Sequence, residues 1–140
     1  MTKEELKSIL YLDQLINSKL RQLEQLKAYR ARLPAGSSDT GPVQSGLSDP
    51  TASAAIKIAM LDQSIVNDID HLVDLKIAAR DLFKCLDGDL QLKVVMELRY
   101  LECMPWNRVA ERLHYGLRHI FAMHSRALDI LFGGGENGRR

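Results

Sequence analysis

The chain has 140 residues, with 19 Lys and Arg against 18 Asp and Glu and a formal charge of +1. That length holds one domain, or one small domain with an extension, and the even charge argues against a protein that coats nucleic acid by bulk positive charge, while leaving room for a local basic face. No apolar run approaches the roughly 18 residues that span a bilayer, and the opening Met1-Thr2-Lys3-Glu4-Glu5 has acids and no apolar core, so a cytoplasmic protein without a membrane partner is expected.

From Thr2 to Leu33 the apolar residues recur at helical spacing. Ile9, Leu12, Ile16, Leu23 and Leu26 keep a heptad pattern, Leu6, Leu15 and Leu20 widen the stripe, and Lys19 and Arg30 interrupt it. Thr2 and Glu5 have the spacing of a capping box, and Pro34 sets the end of the helix. Residues 34–50 hold three Pro, three Gly and four Ser in 17 positions and read as a flexible connector. Asp49 then suits an N-cap and Pro50 a first helical position.

A second heptad set runs Ile58, Leu61, Ile65, Leu72, Leu75, Ala79, Leu82 and Leu86, with Asp68 as its one polar intruder. The two helices, roughly 48 and 54 Å long at about 1.5 Å per residue, match well enough to fold into an antiparallel hairpin. A lone hairpin leaves apolar edges exposed, so a homodimer is expected, with Ile9, Leu12, Ile16, Leu23, Leu26, Ile58, Leu61, Ile65, Leu72 and Leu75 at its seam. The alternative is that the hairpin packs only on the chain's own C-terminal part.

Asp87-Gly88-Asp89 breaks the second helix. Beyond it come three shorter apolar sets: Leu90, Val94, Leu98 and Leu101; then Trp106, Val109, Ala110 and Leu113; then, after His114-Tyr115-Gly116, Ile120, Met123, Ala127, Leu128 and Leu131. Two helices joined by a short turn with a Gly outline a helix-turn-helix. The expected fold is all-α: residues 1–87 form two long coiled-coil-like helices that dimerise, 88–131 a DNA-binding module, and 132–140 a disordered tail. Cys85 and Cys103 stand 18 positions apart with no metal-binding spacing, and His114, His119 and His124 do not share a helical face, so neither a metal nor another cofactor is expected. No phosphate loop or nucleophile–base constellation is present, and Asp68, Asp70, Asp74 and Asp81 read as a wet helix face, so no enzyme is expected.

Residues 98–128, LRYLECMPWNRVAERLHYGLRHIFAMHSRAL, resemble region 4 of bacterial sigma factors, in which L-R-Y-x-E-G-hydrophobic-S-aromatic-E-E-I-A is followed by E-R-L-G and a recognition helix ending H-x-x-A-L. Leu98, Arg99, Tyr100, Glu102, Trp106, Val109, Ala110, Glu111, Arg112 and Leu113 match, as do Tyr115, Arg118, His119, Ile120, His124, Ala127 and Leu128. With the two long helices and the connector, the whole chain looks like the small phage-encoded regulators of the ArpU and RinA kind from Gram-positive bacteria and their phages. The resemblance implies a transcriptional regulator, acting on double-stranded DNA in the cytoplasm of a bacterial host, with a recognition helix at about 116–131. It departs from the pattern at Cys103, Pro105, Asn107, Arg108, His114 and Gly116, where the family has a small residue, a capping Ser, two acids, a turn Gly and a second capping Ser.

On that third helix the 3.6 period turns Leu117, Arg118, Phe121, Ala122 and Ser125 outward. Arg118 can donate to O6 and N7 of a guanine, Phe121 or Ala122 can lie on a thymine methyl, and Ser125 can reach a phosphate or a base. Arg108, Arg112, His119 and Arg126 are candidates for phosphate contacts. Against these stand an Arg112–Glu102 ion pair and a Phe121 packed on the long helices. Tyr100, Trp106 and Tyr115 fall on the framework, with Trp106 expected to anchor the two helices. A second function fits the same outline: an interaction module that binds host RNA polymerase or another regulator through Leu117, Phe121 and Ala122. A third is a phage small terminase subunit, which would form a ring. Residues 1–33 carry a net +3, 34–87 a net −4 and 88–140 a net +2, so the even total hides an acidic second helix and a mildly basic C-terminal segment.

Overall fold

Both long helices begin at the caps expected of them. The Glu5 amide donates to Thr2 Oγ1 at 3.0 Å while the Thr2 amide donates to Glu5 Oε1 at 2.9 Å, a reciprocal pair that satisfies two donors otherwise orphaned at a helix start. At the second helix the Thr51 amide donates to Asp49 Oδ1 at 3.1 Å and Pro50 is the first helical residue.

In the computed structural model, residues 1–34 and 49–133 are described, and every regular element among them is helical. The order is α1 (Lys3–Arg32), α2 (Pro50–Leu82), α3 (Leu90–Met96), α4 (Trp106–Leu113) and α5 (Leu117–Leu128). A 3-10 turn, Phe83–Leu86, follows α2, and π turns Glu97–Leu101 and Asp129–Gly133 follow α3 and α5. The expected connector, for residues 35–48, and the expected tail, from residue 134, lie outside the described residues. No described helix is long and apolar enough to cross a membrane.

The chain forms two compact units whose limits fall inside the long helices. The first to be described is contiguous, Gln14–Asp70. Its core is Leu23 of α1 with Ile58 and Ile65 of α2, and Leu26 and Leu61 pack against it. Two of the three polar residues that interrupt the heptads meet here. Lys19 Nζ lies 2.6 Å from Asp68 Oδ2 and donates to Ser64 Oγ at 2.7 Å, with both charged side chains only 21% exposed.

The other unit combines Met1–Asp13 with His71 onward. Its wholly buried side chains come from every helix that enters it: Leu6 and Ile9 of α1, Ala79 of α2, Phe83 and Leu86 of the 3-10 turn, Leu92, Val95 and Met96 of α3, Val109 of α4, and Ile120, Met123 and Ala127 of α5. Asp89 caps α3 by accepting from the Leu92 amide at 3.3 Å. Three helices of 7, 8 and 12 residues hold too little apolar surface to close a core alone, and the ends of the long helices supply the rest.

Two expectations are corrected here. The boundary expected after residue 87 is replaced by one that leaves Met1–Asp13 and His71–Asp87 with the C-terminal helices. The side chains assigned to a dimer seam are packed within one chain: Ile9, Ile16, Leu23, Ile58, Ile65 and Leu72 are buried, and Leu12, Leu26, Leu61 and Leu75 half-buried. Heptad spacing is the same whether the partner helix belongs to the same chain or to another, so it does not distinguish the two. What remains uncovered is a second stripe on α2: Ile56, Met60, Val66, Ile69, Val73 and Ile77 are between 41% and 67% exposed.

Candidate nucleic-acid interface

The C-terminal helices are set by two turns, each built around a residue in the left-handed conformation. After α3, the π turn closes with the Glu102 amide bonded to the Glu97 carbonyl at 3.1 Å, and Cys103 follows with φ 55°. After α4, the Tyr115 amide bonds the Ala110 carbonyl at 3.0 Å and the His114 amide the Glu111 carbonyl at 3.3 Å, the paired bonds of a Schellman motif with His114 at φ 63°. These two are the positive-φ non-glycine residues among those described, and a side chain there crowds its own carbonyl. Gly116, by contrast, starts α5 from an extended backbone, φ −75° and ψ 158°, with open space around a would-be Cβ. Pro105 takes the N-cap position of α4, and its carbonyl accepts from the Val109 amide at 3.0 Å while no side chain caps the helix.

α4 turns Val109 and Ala110 inward, and α5 turns Ile120, Met123 and Ala127 inward, all buried. The opposite face of α5 holds the five residues expected there: Leu117 is 43% and Phe121 47% exposed, and Arg118, Ala122 and Ser125 are exposed. His119 is exposed too, with its ring edge-on to Tyr115 at 4.6 Å. Arg126 is exposed near the end of the helix.

Between Glu111 and Asp129 no acidic residue occurs, while Arg112, Arg118 and Arg126 do. None of these three enters an ion pair among the described residues, so the alternative pairing of Arg112 with Glu102 is not formed. Arg108 Nε lies 3.8 Å from Glu111 Oε1, an exposed pair of little energetic weight. Arg108, Glu111 and Arg112 line an open depression of about 380 Å³. Of the guanidinium groups expected to meet phosphate, those of Arg112 and Arg126 thus form no ion pair among the described residues.

Trp106 joins α4 to α5. Its ring meets Phe121 at 5.5 Å and 87°, and His124 at 4.7 Å and 68°. The guanidinium of Arg99 lies 4.5 Å from the Trp106 ring centre, a cation–π contact. Arg99 Nη1 donates to the Met104 carbonyl at 3.0 Å, while its buried Nε has no partner among the described residues. Phe121 therefore packs on Trp106 of its own helix pair.

His124 Nε2 lies 2.8 Å from Tyr100 Oη, and the two rings stack at 5.8 Å. Burial, reinforced by the positive charges of Arg99, Lys3 and Lys7, lowers the His124 pKa from 6.5 to about 4. The ring is therefore neutral near pH 7, and burial raises the Tyr100 pKa, so the phenol stays protonated and donates to Nε2. The Cys103 thiol is likewise pushed up by burial, and its Sγ lies 3.9 Å from the Tyr100 carbonyl. Arg99, Tyr100 and His124 thus form the support of the outward face rather than part of it. Their chemistry was visible in the sequence as motif positions, but their meeting was not, because residues 99, 106 and 124 are brought together only by two turns.

Comparison with family models, with curated proteins and with solved structures gives no match.

Proposed function

We propose that the chain is a sequence-specific DNA-binding transcriptional regulator of phage or mobile-element genes, with α4 and α5 acting as a helix-turn-helix of the sigma region 4 type and α5 entering the major groove. The observation that carries this reading is the outward face of α5, where Arg118 stands beside small and apolar residues on an acid-free stretch with three unpaired arginines. A groove-facing helix needs a bidentate donor for a guanine, apolar contact for a thymine methyl and flanking cations for phosphates. Arg118, then Phe121 with Ala122, then Arg108, Arg112, His119 and Arg126 meet those needs in turn, and Leu117 and Ser125 complete the face. The left-handed turn residues, Cys103 and His114, fall where the sigma-region-4 pattern has glycine, which further supports the resemblance.

α1 and α2 act in this reading as an antiparallel hairpin that presents two modules in a homodimer. With the heptad seam packed inside the chain, the dimer contact is the second stripe of α2, because a contiguous exposed apolar face is stabilised by a partner that covers it.

The test is a titration of the full chain with duplexes from its genomic neighbourhood. A shifted complex is expected, weakening steeply with salt, and Arg118→Ala should lose about 10- to 100-fold in affinity for the preferred site. No complex with any duplex at low salt overturns the reading, and an unchanged site preference in Arg118→Ala removes Arg118 from base reading. The exposed Leu117 and Phe121 favour one alternative, a protein contact to RNA polymerase or another regulator. Capture of polymerase by the chain in nuclease-treated extract, without a DNA shift, would replace the first reading with this one.

A further inference from the structure

Phe121 is the largest apolar group on the outward face of α5, and about half of it, 47%, faces solvent. Its other side is held. The ring sits edge-on to Trp106 at 5.5 Å, and Trp106 is gripped by Arg99 at 4.5 Å and by His124 at 4.7 Å. Arg99 is fixed in turn by its bond to the Met104 carbonyl. A ring in this setting has few rotamers to lose when something covers it, so covering it costs little conformational entropy.

The surroundings select what covers it. Arg118 lies three residues before Phe121, a neighbour on the same side of the helix, and no acid stands between Glu111 and Asp129. A cation on an acid-free stretch fits a polyanion and opposes a basic partner. In the major groove of DNA each base edge offers hydrogen-bonding atoms, and the one apolar group on offer is the C5-methyl of thymine. An aromatic ring fixed outward on a cationic, groove-facing helix has that single apolar complement.

We infer that Phe121 is a thymine-reading residue that packs its exposed face on a 5-methyl group, with Trp106 as the positioning residue that holds the ring in place. This rests on the DNA-binding reading above. Arg118 and Phe121 then divide the work: the guanidinium reads a guanine through hydrogen bonds, and the ring reads a nearby thymine through shape.

Uracil differs from thymine by the methyl group alone, which makes it the probe. The full chain is titrated with its preferred duplex and with duplexes in which each thymine in turn is replaced by uracil. One position, or one in each half-site, should weaken binding by about four-fold, the worth of burying a methyl-sized group, and the others should be silent. In Phe121→Ala the thymine and uracil duplexes should bind alike. Trp106→Leu should lose the same discrimination and Trp106→Phe should retain it, a pattern that a merely structural role would not give. If Trp106→Leu fails to fold, the Phe121 arm decides alone. Binding that is indifferent to every uracil, or discrimination that survives Phe121→Ala, overturns this inference and leaves DNA binding standing. No binding to any duplex overturns both.

Discussion

At the scale of single residues, the chain places its glycine and its larger side chain the wrong way round for the turn between α4 and α5. His114 carries the left-handed backbone, and Gly116 occupies an extended position that any residue adopts. His114→Gly relieves a strain of about 1 kcal/mol, part of which is offset by the greater freedom of the unfolded chain. Gly116→Ser meets no neighbour and adds an oxygen for the open amides at the start of α5. Each substitution should raise stability by about 0.5 kcal/mol, and the double variant by about 1 kcal/mol, read as a higher urea midpoint. A lower midpoint for either would show that the histidine or the glycine makes a contact that matters more than the backbone.

His124 carries the pH dependence. Its pKa in the folded chain, about 4, lies below the ordinary 6.5, so between these values the unfolded chain takes up a proton that the folded chain refuses. Stability is therefore full above about pH 6.5 and falls as the pH drops toward 4. At a ring that is partly exposed, screening reduces the loss to about 1–2 kcal/mol. Urea titrations between pH 7 and pH 4 should show the decline, and His124→Gln should flatten it; an equal decline in that variant would assign the effect to other groups.

At the scale of the elements, Lys19 and Asp68 decide how α1 and α2 align. Each is a polar residue in an apolar stripe, and the two ends of the pair, 21% exposed, reach each other only in one register. Asp68→Ala should cost about 1–3 kcal/mol, because it leaves an ammonium group poorly hydrated. Lys19→Leu with Asp68→Leu should return close to the parent, since apolar replacement of a shielded pair is often neutral. A double-mutant cycle in urea measures this, and additive losses would mean that the pair does not couple.

How much of this was legible in the sequence depends on the range of the interaction. The Thr2–Glu5 and Asp49–Pro50 caps, the break at Asp87-Gly88-Asp89 and the inward and outward faces of α5 rest on local residue types and spacings of a few residues, which the sequence carries directly. Lys19 and Asp68 stood out singly as intruders, yet their meeting needs a register set across 49 residues. The Arg99–Trp106–His124 support was out of reach for the same reason. The assignment of Ile9, Leu23 and Ile65 to a dimer seam failed because apolar spacing records that a partner exists, not whose it is.

At the scale of the whole molecule, the uncovered stripe of α2 bears on assembly. Ile56, Met60, Val66 and Ile69 lie within the contiguous unit, so charges placed there need not disturb the core formed by Leu23, Ile58 and Ile65. Light scattering of the parent should give the mass of a dimer, and Met60→Glu with Val66→Lys the mass of a monomer with unchanged helix content. A monomeric parent sinks the dimer, and a dimeric double variant moves the contact elsewhere. A ring of many copies would instead support assembly of the small-terminase kind.

The division of the chain also has a consequence for the order of folding. Gln14–Asp70 is complete in itself along the sequence, while Met1–Asp13 shares a compact unit with residues that are made after it, from His71 on. During synthesis Leu6 and Ile9, wholly buried in the finished protein, wait with their apolar side chains uncovered until the C-terminal helices arrive. Contacts between such distant stretches carry a large loop-closure cost and form slowly. The contiguous unit can close first and draw the two flanks of the chain together, so that its formation precedes the packing of the C-terminal helices.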